Sequence, residues 1–164
     1  QIQVGPLNTK VKKMTKKKRS IVALSGGFHP ARKSHIAMIM DAAKLGDVVI
    51  ILNSDEWCAE RHWSGKLFSK YENREALLKN IPGVIDVIPA DDADGTVCNT
   101  LRKLRPDFFG NGGGRDASNT PEVELCKDLG IGMVWYLGDT NDEAVLEEAD
   151  TYLKMAMAKV YQNS

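Results

Sequence analysis

Residues 20–35, SIVALSGGFHPARKSH, decide the fold class of this chain. An apolar run at 21–24 has the length of a buried strand and ends in Ser25-Gly26-Gly27. A helix is predicted from Ser34, since apolar side chains then recur at helical spacing. A strand that passes through glycines into a helix is typical of the βαβ units from which parallel sheets are built.

The same alternation continues along the chain and predicts five strands and six helices. The predicted strands are 21–24, 48–52, 84–88, 107–109 and 133–137. The predicted helices are 34–44, 55–61, one from the capping box Ser69-x-x-Glu72 to Pro82-Gly83, 96–104, 121–129 and 142–160. This order predicts an α/β fold, a single Rossmann-like doubly wound domain with a five-stranded parallel sheet.

Composition agrees with one globular domain. The chain has 164 residues, of which 43% are hydrophobic and 27% charged, which argues against disorder and collagen-like repeats. No stretch approaches the ~20 apolar residues of a membrane span, and the run at 21–24 is too short for a signal peptide. The cysteines (Cys58, Cys98, Cys126) lie far apart without CxxC spacing, which favours reduced thiols and a cytoplasmic location.

Charge is balanced overall, with 22 basic and 22 acidic residues, but it is unevenly spread. Lysine and arginine are concentrated in residues 10–19, and the first acidic residue is Asp41. The run is either a solvated leader or a nucleic-acid arm, and its lack of aromatic residues favours the leader. We therefore predict a basic, flexible leader at 1–19 and one domain at 20–164. Since the chain begins with Gln, Met14 is an alternative start.

The strongest chemical signal lies at residues 26–35. In parallel sheets ligands bind beyond the carboxyl ends of the strands, and this segment follows the first strand. Two glycines let backbone approach a ligand, and the helix N-terminus that follows attracts anions. His29, Arg32 and His35 add potentially cationic side chains, so the segment indicates a polyphosphate site. The alternative for each histidine is an ordinary helix cap or surface residue.

Residues 26–35 also resemble the GxFxxxHxGH signature of the cytidylyltransferase-like nucleotidyltransferases, relatives of class I aminoacyl-tRNA synthetases through the HIGH motif. The resemblance extends to residues 45–57, 73–78 and 84–88. Residues 111–115 and 121–125 are similar to the sugar-phosphate branch, which includes glycerol-3-phosphate cytidylyltransferases and heptose-1-phosphate adenylyltransferases. The similarity covers about residues 20–140 and implies the HIGH-motif type of α/β domain.

The resemblance implies roles for individual residues. It implies that His35, Arg32 and Lys66 are catalytic and that Arg74 binds the phosphorylated substrate. It also implies a set of nucleotide-binding positions: Gly26, Gly27, Phe28, His29, His35, Asn111, Gly112, Gly113, Arg115, Asp139 and Thr140. Trp57 and Trp63 flank a loop near the predicted site, and either is a candidate wall of the acceptor pocket. Trp135 lies within a predicted strand and is expected in the core. The alternatives are a mobile loop lysine for Lys66, a helix-surface ion pair for Arg74, and a helix cap for Asp139 and Thr140.

The chain departs from the family pattern at several positions. Arg32 and Ser34 stand where HxGH has its first histidine and its glycine, and arginine is a competent phosphate ligand. Asn111 and Gly114 replace the lysine and aspartate common in the heptose branch. The last motif, residues 138–141, keeps Thr140 of its hydroxyl set and adds Asp139.

The implied activity is transfer of a nucleoside monophosphate to a phosphorylated small molecule, such as a sugar or polyol phosphate, with release of pyrophosphate. CTP is the first expected donor and ATP the second, each with Mg²⁺, and homodimers are common in the family. Neither a membrane nor a nucleic acid is an expected partner. Two other functions stay open: a non-catalytic nucleotide-binding protein that retains the fold, and a nucleic-acid-binding module that uses the basic arm.

Overall fold

A computed structural model describes residues 18–162 and contains five strands and six helices in regular alternation. The strands are β1 (Ile21–Gly26), β2 (Asp47–Leu52), β3 (Val84–Pro89), β4 (Phe108–Gly112) and β5 (Gly132–Leu137). The helices are α1 (Lys33–Ala43), α2 (Asp55–Arg61), α3 (Tyr71–Lys79), α4 (Cys98–Leu104), α5 (Val123–Leu129) and α6 (Glu143–Gln162). The predicted leader, residues 1–19, lies almost wholly outside the described residues.

The strands form one parallel sheet in the order β3-β2-β1-β4-β5. The chain moves outward from β1 to β3 and then crosses to β4 on the other side of β1. The strand order therefore reverses between β1 and β4, which is where ligands bind in doubly wound sheets. This architecture confirms the predicted α/β Rossmann-like fold.

Side chains alternate between two hydrophobic layers, one on each face of the sheet. Val22 and Leu24 of β1 face α1, α3 and α6, whereas Ala23 between them faces α4 and α5. The interior strand β2, which lies between β3 and β1, is buried on both faces, which explains its unbroken apolar run. No helix within residues 18–162 has the length and apolarity needed to cross a membrane.

The predicted strand 107–109 is shorter than β4, because glycine weakens a strand interior and so does not predict its continuation. The strand extends through Gly110 and Asn111 to Gly112. A methyl group at Gly110 would lie 2.5 Å from Leu137 Cδ1 and 2.6 Å from Leu24 Cδ2. Glycine is therefore required inside the strand by close packing of its neighbours.

Two local predictions were also wrong. Helix α3 begins at Tyr71 after Lys70, which makes no side-chain capping bond, so the predicted Ser69-x-x-Glu72 capping box does not form. Instead, the Ser69 backbone N–H donates to His29 Nε2. Trp135, expected in the core, is only half-buried in β5.

We predict that Gly138→Ala destabilises the fold more than Gly65→Ala. Both glycines have positive φ, +71° and +68°, so both substitutions incur the left-handed penalty of about 1–2 kcal/mol. At Gly138 the new methyl group would also lie 2.4 Å from the Met38 backbone nitrogen, whereas nothing lies within 4 Å at Gly65. Urea unfolding should show a further loss of about 2 kcal/mol for Gly138→Ala. Equal losses would contradict the close approach of Gly138 to α1.

Candidate functional site

A cavity of about 660 Å³ opens between the segments that follow β1 and β2. The chain has three histidines, His29, His35 and His62, and all of them line this cavity together with Arg32 and Arg61. Within the described residues, no aspartate or glutamate lines it. In a chain of zero net charge, this distribution makes the cavity an attractive site for an anion.

His35 lies in the first turn of α1, where its ring is fixed from two sides. Its Nδ1 accepts the Arg32 backbone N–H at 2.9 Å, and its ring centroid lies 5.0 Å from that of buried Phe28. Burial, and then the nearby Arg32, lower the pKa of His35 below its usual 6.5. The imidazole is therefore neutral at pH 7, with its proton on Nε2, and serves as a hydrogen-bond donor beside the helix N-terminus.

His29 is likewise neutral, which revises the expectation that both histidines are cationic. Its Nε2 accepts the backbone N–H groups of Phe68 and Ser69, each at 2.8 Å. Burial, followed by the charge of Arg74, lowers the pKa of His29. Because a protonated Nε2 cannot accept, the geometry requires the neutral ring with its proton on Nδ1.

Helix α2 forms the opposite wall of the cavity. Gly27 allows the close approach, since a methyl group there would lie 3.0 Å from Cys58 Sγ and 3.2 Å from the Trp57 ring. The Arg61 guanidinium lies 4.0 Å from the centroid of the Trp57 ring and donates to the Trp57 carbonyl at 3.3 Å. Trp57 was predicted as an acceptor-pocket wall, and the structure places it on the cavity. Arg61 was not singled out from the sequence, although its i+4 spacing from Trp57 on a predicted helix was visible.

Arg74 occupies a different environment from the one the resemblance implied. It is 2% exposed, and Nη2 donates to Asp55 Oδ1 at 2.7 Å. Nη1 donates to the carbonyls of Gly27 and Asn53 at 2.9 Å each, and Nε donates to the Ser69 carbonyl at 3.0 Å. The guanidinium is thus committed to protein groups, and we no longer assign it to substrate. The helix-surface ion pair is also excluded, because the side chain is buried.

Asp92, like Arg74, holds the residues that follow β2 in place, a role that the sequence did not predict. Its carboxylate accepts from Asn53 Nδ2 at 3.0 Å and from the Ser54 backbone N–H and hydroxyl at 2.8 Å each. The residue lies just after β3. Its role depends on contacts across 38 residues, which local sequence pattern does not report.

The other predicted site residues lie apart from the cavity lining. Lys66 is exposed on the loop before α3 and does not line the cavity. A second set follows β4 and β5, where a methyl group at Gly113 would lie 3.5 Å from Asp139 Cγ and one at Gly112 would lie 3.3 Å from Met38 Sδ. Met38 is one turn beyond His35 on α1, so this set borders the same helix. Gly26, Asn111, Arg115 and Thr140 also lie outside the cavity lining.

The segment before α6 contains Asp139 and Thr140, for which a helix cap was the alternative to nucleotide binding. Thr140 Oγ1 accepts the Asp142 N–H at 3.1 Å, and Asp142 Oδ1 accepts the Ala144 N–H at 3.0 Å. Asp142 therefore caps α6, with Thr140 supporting it. Asp139 is exposed, and its backbone N–H donates a hydrogen bond to the Tyr136 carbonyl.

A resident metal ion does not fit this cavity. Within residues 18–162, no group of three or more histidine, cysteine, aspartate or glutamate side chains is arranged to hold one. Mg²⁺, which prefers oxygen ligands, would find no carboxylate on the described lining. Any Mg²⁺ here would be part of a Mg²⁺–nucleotide substrate, with phosphate and water oxygens as its ligands.

We predict that Arg74→Met lowers the free energy of unfolding by about 3 kcal/mol, because it leaves Asp55 and several carbonyls without their buried donor. Methionine keeps a similar length without the charge. Arg102→Met is the matched control, since Arg102 is exposed on α4 and should change stability by less than about 0.5 kcal/mol. Urea unfolding measures both, and similar small effects would show that the buried network is unimportant.

We predict that acidification from pH 7 to pH 5 destabilises the protein through His29 and His35. In the unfolded chain both imidazoles titrate near pH 6.5, whereas the pKa values of the folded chain are lower. The unfolded chain therefore binds more protons below pH 6.5, and stability falls as the pH drops through that value. The double variant His29→Gln/His35→Gln should lose less stability over the same range. Equal losses in urea midpoint would contradict the assignment.

Four curated relatives share sequence with most of the chain, whereas no protein-family model matches it. A bifunctional protein HldE from Streptomyces coelicolor is 29% identical over 133 residues, which cover 79% of this chain and 28% of that protein. An FAD synthase from Picrophilus torridus is 24% identical over 110 residues, which cover 67% of this chain and 77% of that protein. The chain thus spans little more than a quarter of the HldE protein.

Structure comparison agrees on the fold. The crystal structure of the lipopolysaccharide core biosynthesis protein from Thermoplasma volcanium matches with a TM-score of 0.59 and 22% identity, covering 72% of this chain and 96% of that one. The relatives and the fold together point to the cytidylyltransferase-like nucleotidyltransferase family, and so confirm the resemblance first seen at residues 26–35.

Proposed function

We propose that this chain transfers a nucleoside monophosphate from ATP or CTP to a phosphorylated small molecule, with release of pyrophosphate. One observation carries the proposal: the cavity beside the N-terminus of α1 gathers every histidine of the chain and two arginines without a described carboxylate. A nucleoside triphosphate and a phosphorylated acceptor are both anions, and such a cavity favours them. The HldE and FAD synthase relatives support nucleotidyl transfer.

The reaction needs positioning more than proton transfer. An oxygen of the acceptor's phosphate, already ionised at pH 7, attacks the α-phosphorus, and the bond from that phosphorus to the bridging oxygen of the β-phosphate breaks. Negative charge then builds on the leaving pyrophosphate. His35 donates a hydrogen bond from Nε2 and Arg32 supplies positive charge, and both residues lie at the N-terminus of α1, which favours an anion. Mg²⁺ bound to the nucleotide would add charge neutralisation.

The proposed acceptor and the proposed nucleotide donor rest on different observations. A sugar or polyol phosphate is proposed from the similarity of residues 111–125 to the sugar-phosphate branch. ATP is the first donor to test, because the FAD synthase relative is named for a product that contains adenine. CTP remains the second donor.

Nucleotide binding is the first measurement. ATP and CTP, each with Mg²⁺, are titrated against the protein, and the shift of the thermal midpoint is recorded. A nucleotide at 100 times its Kd adds about 2.7 kcal/mol of stability. The bound nucleotide is then combined with a panel of sugar and polyol phosphates, and pyrophosphate release is followed. Nucleotide binding without release across the panel would favour the non-catalytic alternative.

We predict that His35→Ala lowers turnover by ~10²–10³-fold, the loss typical of one preorganised hydrogen-bond donor. Turnover is measured as pyrophosphate release at saturating nucleotide, at a temperature where the unfolding curve shows the variant folded. Lys103→Ala serves as the control, because Lys103 is exposed on α4 away from the cavity and should leave turnover unchanged. Full activity in His35→Ala would remove this residue from the mechanism.

A further inference from the structure

We call residues 62–70, which precede α3, the aromatic loop. Its two ends make backbone hydrogen bonds to α2 and α3, and its other described hydrogen bonds to the rest of the protein involve His29 and Arg74. The imidazole of His29, in the connection between β1 and α1, accepts two of its backbone N–H groups, those of Phe68 and Ser69, at 2.8 Å each. Arg74 donates to the Ser69 carbonyl at 3.0 Å. His29 thus bridges two segments that are 39 residues apart in sequence.

Aromatic contacts surround these hydrogen bonds without burying the loop. The His29 ring lies edge-on to His62 and Phe68, with centroids 5.6 and 5.8 Å apart, and His62 stacks on Phe68 at 6.3 Å. Phe68 is nevertheless 66% exposed, and Trp63 is 92% exposed. Leu67 is half-buried, but burial of these two aromatic side chains contributes little to holding the loop, and the hydrogen bonds to His29 carry correspondingly more of its attachment.

The aromatic loop contributes directly to the cavity. His62 and Trp63 form part of its wall, so the place of the loop sets the shape of the cavity on that side. Lys66 lies in the same loop, exposed and outside the lining.

We propose that His29 is a positioning residue: its neutral imidazole fastens the aromatic loop through Phe68 and Ser69, and protonation releases the loop and the cavity wall that it forms. A protonated ring carries N–H on both nitrogens, so Nε2 would face two N–H donors with no lone pair to offer. The claim that the loop affects turnover through the shape of the cavity rests on the proposed function. The attachment of the loop to His29 does not depend on that function.

The charged neighbours of His29 come from three elements. Arg74 of α3 and His62 of the aromatic loop disfavour positive charge on His29, and Asp55 of α2 favours it. The Asp55 carboxylate is already paired with Arg74 at 2.7 Å, which limits its pull. Burial, followed by Arg74 and His62, holds the pKa of His29 below 6.5 against the opposing effect of Asp55. Attachment is therefore complete above about pH 6.5 and weakens as the pH falls through the lower folded value.

Two substitutions of His29 distinguish the role of its hydrogen-bond acceptor, Nε2, from that of its aromatic ring. His29→Gln keeps an acceptor, Oε1, that does not titrate, whereas His29→Phe keeps an aromatic ring against His62 and Phe68 but has no acceptor. Hydrogen exchange of the Phe68 and Ser69 amides reports the attachment without any ligand, after correction for the intrinsic pH dependence of exchange. The amide of buried Ile50, in the interior strand β2, reports whether each variant is folded.

In the wild-type protein we expect protection of the Phe68 and Ser69 amides to fall about tenfold or more between pH 7 and pH 5, with the Ile50 amide unchanged. His29→Gln should keep protection at both pH values, and His29→Phe should lack it at both. Protection that is independent of pH in the wild type, or retained in His29→Phe, would overturn the inference.

Activity provides the second readout. For an active donor and acceptor pair, KM for the acceptor should rise below pH 6.5 in the wild type with a smaller change in kcat, and His29→Gln should abolish that rise. If exchange follows His29 but no pair releases pyrophosphate, the fastening stands and the proposed function fails. If exchange follows His29 while KM stays independent of pH, the claim that the loop shapes the working cavity is overturned.

Discussion

The buried guanidinium of Arg74 is the interaction on which the site depends. Where parallel strands end, their last carbonyls lose the sheet partners that satisfy them, and buried carbonyls require a donor. Arg74 supplies donors to the carbonyls of Gly27 and Asn53, which lie beyond β1 and β2, and pairs with Asp55 at the start of α2. One side chain on α3 thus joins the segments that form both walls of the cavity.

Asp92 complements Arg74 with the opposite charge. Arg74 donates to backbone carbonyls, whereas Asp92 accepts from the side chain of Asn53 and from the backbone N–H of Ser54. The residues that follow β2 are therefore held from both sides by ionised groups. This division has an electrostatic consequence: the carboxylates of Asp55 and Asp92 are engaged in fastening the walls, and neither lines the cavity that carries Arg32 and Arg61.

How much the sequence could predict depends on the range of the interactions. Apolar periodicity is local, and it correctly predicted the order of strands and helices and the α/β class. The position of His35 in the first turn of α1 also followed from local pattern. The partners of Arg74 could not be predicted, because they are main-chain carbonyls from segments brought together only by the sheet. The place of Gly110 inside β4 could not be predicted for the same reason, since the side chains that exclude a Cβ there come from β1 and β5.

The histidines show why residue type alone does not specify electrostatics. As sequence, His29, Arg32 and His35 form a cationic cluster, but each imidazole uses one ring nitrogen to accept backbone N–H groups. That bond is compatible only with a ring that leaves the nitrogen unprotonated, and burial lowers both pKa values further. Permanent charge on the cavity lining then comes from the arginines, and the histidines contribute direction: His35 aims a donor, and His29 holds a loop. A polyanion bound here would meet two fixed positive charges and a set of oriented hydrogen bonds, an arrangement that favours one placement of its phosphates over diffuse attraction.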